Sequence, residues 1–86
     1  MMTVAAYVQK LNESTTFWKF HPEQGRKYTK IVQETGGSRS VHAFVDAQGN
    51  VYKPASCAAP AKGVRFNLAN LDSQTVDPYG SYLYAR

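Results

Sequence analysis

The stretch SVHAFVDAQGNVYKP, residues 40 to 54, limits the fold more than any other part of this chain. Val41, Ala43 and Val45 alternate with Ser40, His42, Phe44 and Asp46, the period-two pattern of a strand with two unlike faces. DAQGN then reverses the chain, with Gly49 placed for the left-handed residue that closes a longer hairpin loop. NVYKP reads as the return strand, and Pro54 ends its pairing because it has no N–H to give.

The segments around this hairpin extend the sheet and supply one helix. Val4, Tyr7, Val8 and Leu11 fall at i, i+3, i+4 and i+7, so residues 4 to 13 read as a short amphipathic helix with Thr3 as its N-cap. A helix of this length does not hold alone in water, and its apolar stripe requires a surface to lie on. FWKF, residues 17 to 20, is an aromatic cluster, and His21-Pro22 with Gly25 marks a turn. KYTKIVQE, residues 27 to 34, is rich in β-branched and aromatic residues and stops at TGGS, residues 35 to 38. ASCAAPAKG, residues 55 to 63, has the small-residue composition of a loop lying against the body or a ligand. VRFNL offers a short final strand, Asn67 or Asn70 a cap, and Pro78 to Gly80 a last turn among Tyr79, Tyr82 and Tyr84. The order predicts a single α+β domain over residues 1 to 86: an antiparallel meander of three to four strands with the N-terminal helix packed on one face.

Eighty-six residues bury only about 60 to 65% of the surface that the unfolded chain exposes, so large rings must supply much of the core. Eleven aromatics, six Tyr, four Phe and one Trp, serve that need. Ten Lys and Arg against six Asp and Glu leave a net charge of +4, which favours anionic partners and argues against mimicry of DNA. Cys57 is the only cysteine, which rules out an intramolecular disulfide or a multi-cysteine zinc site and fits a reducing compartment. No run approaches the ~20 apolar residues of a membrane span, so no membrane association is expected.

Catalytic signatures are weak. Cys57, His42 and Asp46 have the residue types of a nucleophile, base and orienter. On one strand, however, His42 and Asp46 sit roughly 13 Å apart at about 3.3 Å per residue, beyond a direct hydrogen bond. Asp46 is better spent opening its turn, and Cys57 as a small apolar residue. His21 and His42 lack a third clustered ligand for a metal. APAKGVR brings Lys62 and Arg65 beside a glycine, as a phosphate loop does, but without the spacing of a nucleotide-binding P-loop. No enzyme activity and no cofactor are expected.

The distinctive pattern is the interleaving of cations with rings: Arg26, Lys27, Tyr28 and Lys30, then His42 and Phe44, then Tyr52 and Lys53, then Lys62, Arg65 and Phe66. Single-stranded nucleic acid is bound by bases stacking on aromatics while Lys and Arg follow the phosphates. A sheet with one face under a helix leaves the other face for such a platform. The residues expected to carry it are Arg39, His42, Tyr52, Lys53, Lys62, Arg65 and Phe66. Neither the RNP1 pattern nor a GxxG loop of the common RNA-binding modules is present.

The segment from KYTKIVQ through RSVHAFVDAQGNVYKPASCAAPAKGVRFNL resembles a group of small uncharacterised proteins encoded by tailed bacteriophages, in which a similar SVH-F-D--G-VYKPAS--APAKG-R-N string recurs. That group often carries a large aromatic where this chain has Cys57. The resemblance implies a phage origin and expression in the host cytoplasm, and it brings no activity to any residue. The expectation is a non-enzymatic accessory protein that binds nucleic acid, or a host complex bound to it. The alternatives are a protein–protein module that inhibits or redirects a host enzyme or defence factor, or a minor virion or assembly component. A short edge strand also leaves room for pairing with a second copy.

Overall fold

The computed structural model describes residues 3–56 and 58–84. Helix α1 (Val4–Glu13) is followed by five strands, β1 (Lys19–Gln24), β2 (Thr29–Thr35), β3 (Ser38–Val45), β4 (Asn50–Tyr52) and β5 (Phe66–Asn67). Two 3-10 helices, Leu68–Ser73 and Ser81–Leu83, complete the chain. The strands lie in sequence order, β1-β2-β3-β4-β5, and every neighbouring pair is antiparallel. The chain is therefore α+β, with one strand more than the upper count expected, because VRFNL does pair through Phe66 and Asn67.

The helix forms where its spacing says it should. Thr3 Oγ1 accepts from the Ala6 N–H at 3.1 Å and so satisfies one of the unpaired first-turn donors. At the other end the Ser14 hydroxyl donates to the Leu11 carbonyl at 2.6 Å. Tyr7, Val8 and Leu11 are buried, and they meet Phe20, Ile31, Ala43, Val45 and Val51 from the sheet and Leu68, Leu71 and Leu83 from the 3-10 helices. Burying one such aliphatic side chain is worth about 2 kcal/mol, which offsets the helix's short length. Lys10 adds a cationic clamp: its ammonium donates to the Leu71 and Gln74 carbonyls, both at 2.6 Å, at the end of the first 3-10 helix.

Two sequence expectations fail in instructive ways. His21-Pro22 does not turn the chain. Both residues lie inside β1, paired with Val32 and Ile31, and the reversal comes at Gly25, whose N–H donates to the Tyr28 carbonyl at 2.9 Å. Pro22 is tolerated because β1 is an edge strand and its alternate residues face away from β2. Phe20, two residues earlier, shows the direction: its N–H and C=O are both taken by the Asn12 side-chain amide, at 2.8 and 3.0 Å. On this edge the Phe20 backbone groups are occupied and Pro22 has no N–H to give. The opposite edge, β5, is two residues long.

The second failure is at His42. Ile31 pairs with Ala43 and Val32 with Val41, so His42 is an unpaired extra residue, a β-bulge. The bulge breaks the alternation and sends His42 to the helix-covered side with Ala43 and Val45, where it meets Phe20 at a ring separation of 5.1 Å. Among the described residues, no helix is long and apolar enough to cross a membrane.

The Asn12 clamp gives a direct test. Asn12→Ala leaves the Phe20 backbone groups without their partner and is expected to cost about 2 kcal/mol in urea unfolding. It should also speed amide exchange at Phe20 more than at Ile31.

Candidate functional site

The sheet face away from the helix is organised by the ladder register. Glu23 pairs with Lys30, Lys30 with Phe44, and Phe44 with Tyr52, so these four form one row across β1 to β4. Arg65 extends the row, because its N–H donates to the Val51 carbonyl at 2.7 Å just ahead of β5. Tyr28 closes over the middle, edge-on to Phe44 at 5.9 Å and to Tyr52 at 5.7 Å. Lys27 lies 5.7 Å above the Tyr28 ring. Lys30 and Arg65 thus bracket three aromatic rings.

This face is not an open platform. Phe44 and Val32 are only 2% and 1% exposed although neither belongs to the helix-side core. Tyr28 packs on Phe44, and the small-residue loop after β4 lies beside this face. Pro54 and Pro60 form an antiparallel bridge, the Ala55 N–H donates to the Ala59 carbonyl at 3.0 Å, and the Ala61 N–H returns to Lys53 at 2.9 Å. Ala58 at its tip lines a shallow depression together with Phe44, Tyr28, Lys30 and the Gly25–Lys27 turn. Cys57, the candidate nucleophile of the sequence reading, lies outside the described residues.

The seven residues expected to form the site separate into distinct roles. Tyr52 is half-buried on the outer face, and its hydroxyl donates to Asp46 at 2.8 Å. That carboxylate also accepts from the Gln48 and Asn50 N–H groups at 2.9 Å each, so Asp46 does open its turn, and these hydrogen bonds hold its pKa below the usual carboxylate range against burial. Arg65 is half-buried with its Nε enclosed and unpartnered among the described residues. Lys62 is exposed on the loop. Lys53 instead sits 4.5 Å from the Tyr84 ring. Arg39 is occupied by acids: its guanidinium donates to Glu34 at 2.9 Å and to Glu23 at 2.5 Å, which lowers the Glu23 pKa and raises its own.

His42 and Phe66 do not belong to a binding surface. Phe66 packs edge-on against Tyr7 at 5.6 Å within the helix-side core. His42 is 4% exposed and fully engaged. Its Nδ1 lies 2.8 Å from Gln33 Oε1, an oxygen that can only accept, so Nδ1 carries the proton and donates. Nε2 therefore accepts from the Tyr82 hydroxyl at 2.7 Å, and Tyr82 in turn accepts from the Tyr7 hydroxyl at 2.7 Å. Burial pushes the His42 pKa down to about 4 and raises those of Tyr7 and Tyr82, the nearby Asp77 opposing the shift on His42. A neutral, fixed imidazole with both nitrogens used is a structural group.

The cations missing from the expected set are Arg26, Lys27 and Lys30, which line the same depression as Phe44. Their signal was the interleaving itself, since each lies within two residues of Tyr28 in sequence. Among the described residues, no group of three His, Cys, Asp or Glu side chains is placed to hold a metal ion.

Of the comparisons with known proteins, one family model, described as a family of unknown function (DUF7717), matches residues 2–85. None of the curated proteins matches, and neither does any solved structure.

The buried chain of hydrogen bonds predicts an acid-labile fold. Above pH 6.5 His42 is neutral in the folded and the unfolded chain, and its contribution is complete. Between pH 6.5 and about 4 the unfolded chain binds a proton that the folded one refuses, so stability falls as pH drops, by up to about 3 kcal/mol. Urea titrations at pH 7 and pH 4 should show this loss, and His42→Gln should remove most of the difference between them.

Proposed function

We propose that this chain, which belongs to DUF7717, is a non-enzymatic protein that binds nucleic acid through its outer sheet face, in the phage-infected host cell that the sequence resemblance implies. The carrying observation is the row in which Lys30 and Arg65 bracket Phe44 and Tyr52, with Tyr28 packed over it and Arg26 and Lys27 at its turn. Three strand spacings place the two bracketing cations roughly 14 Å apart, a span of about two to three phosphates. Among the described residues none of Arg26, Lys27, Lys30, Lys62 and Arg65 is within salt-bridge distance of an acid, whereas Glu23 and Glu34 are held by Arg39. These five cations are unpaired, and Asp46, bonded to Tyr52 and to its own turn, is the acid that adjoins the row.

A second reading rests on different residues. Tyr79 is 82% and Tyr84 59% exposed, and Tyr84 carries Lys53 over its ring. Tyrosines with a neighbouring cation are common anchors of protein interfaces, so a host protein is the runner-up partner. A partner retained after nuclease treatment, and lost on Tyr79→Ala with Tyr84→Ala, would favour this reading.

The main test is salt-dependent binding of a labelled oligonucleotide. Affinity should fall linearly on a log–log plot against salt, with a slope of about 0.7 per phosphate for single strands. Lys30→Ala with Arg65→Ala should reduce that slope by about 1 to 2 and weaken binding across all sequences alike. Absence of binding at low salt, or an unchanged slope in the double variant, rejects the proposal.

A further inference from the structure

The depression beside Phe44 has a shape that a flat charged surface lacks. It is about 370 Å³, at the small end of ligand-sized sites, and it lies between the β1–β2 turn and the tip of the loop after β4. Phe44 and Tyr28 give it aromatic walls, Ala58 forms the opposite lip, and Arg26, Lys27 and Lys30 line the side made by the turn and β2. The turn is set tightly: a side chain at Gly25 would place its Cβ 2.6 Å from the Tyr28 carbonyl oxygen, so only glycine lets the backbone close there and bring Tyr28 back toward Phe44. Glu23 also lines the depression, but its carboxylate is bridged to Arg39, which leaves the local excess of charge positive.

We infer that this depression receives one unpaired nucleobase, stacked on Tyr28, with the adjoining phosphates on Arg26, Lys27 and Lys30. The inference rests on the nucleic-acid reading above and adds to it a single-stranded preference. A base inside a duplex has both faces covered by its neighbours and exposes only its edges, whereas an unpaired base offers a π-face to an aromatic wall. Ala58 forms the lip that faces the turn across the recess, beside Phe44 and Tyr28. Three cations on one side suit a phosphate on either side of the inserted base, as Lys and Arg side chains reach outward while their stems line the wall.

The experiment compares three labelled probes of equal length, a single strand, the matching duplex and a base-free sugar–phosphate strand, against the native chain and Ala58→Phe. Ala58 is exposed, so the larger side chain should fill the recess without disturbing the core, and circular dichroism checks that the fold is kept. The native chain should bind the single strand roughly five- to a hundredfold tighter than the base-free strand, the factor expected of one stacked base. Ala58→Phe should reduce single-strand affinity to the base-free level while leaving base-free affinity unchanged, and Tyr28→Ala should do the same. Equal binding of intact and base-free strands, a preference for the duplex, or full single-strand affinity in Ala58→Phe overturns the pocket and leaves general phosphate binding standing. Failure of all three probes to bind at low salt overturns both.

Discussion

The Tyr82 hydroxyl holds together three parts of the chain that the sequence keeps far apart. It accepts from Tyr7 on the helix and donates to His42 in the sheet, and His42 passes the chain of hydrogen bonds on to Gln33 in the neighbouring strand. Each member is in the core or at its margin, so a missing partner would leave a polar group without water, at a cost of about 1 to 3 kcal/mol. Satisfied in full, the same chain selects one arrangement of helix, sheet and C-terminal segment over other ways of packing similar apolar residues. Gly80 makes the approach achievable: its φ of +76°, a conformation that side-chain-bearing residues rarely adopt, turns the chain over His42.

Much of the fold could be read from the sequence because its signals are local. The helix followed from apolar spacing and a threonine cap, the hairpins from Gly37 and Gly49 in left-handed turns, and the Asn67 cap from an asparagine whose oxygen accepts from the Ala69 N–H. What escaped was tertiary. Nothing local distinguishes a Pro that turns a strand from a Pro on the unpaired side of an edge, and Pro22 is the latter only because the Asn12 amide and the sheet order make β1 an edge. The bulge at His42 carries no glycine to announce it, and it reversed the expected facing of Val41 and His42.

The candidate site was legible to the same degree. Of the row, the sequence pattern assigned Tyr52 and Arg65 to the surface; Lys30 and Phe44 stood in the interleaved list but not among the expected site residues, although period-two alternation places all four on one face. It grouped His42 and Phe66 with the outer surface, whereas both lie on the helix side of the sheet, His42 buried against Phe20 and Phe66 half-buried against Tyr7. It also took the second face of the sheet to be bare. The small-residue composition of the loop after β4 pointed to a segment lying against the body or a ligand, but it has no periodicity to reveal which face it lies beside.

The sequential order of the strands has a consequence for the order of events in folding. Each strand pairs with the one made just before it, so the meander can zip up by short loop closures while the chain is still being synthesised. The Tyr7–Tyr82 contact spans 75 residues and is the long closure of the molecule. Until that closure forms, His42 lacks its hydrogen-bond donor and the chain of hydrogen bonds across the core stays open.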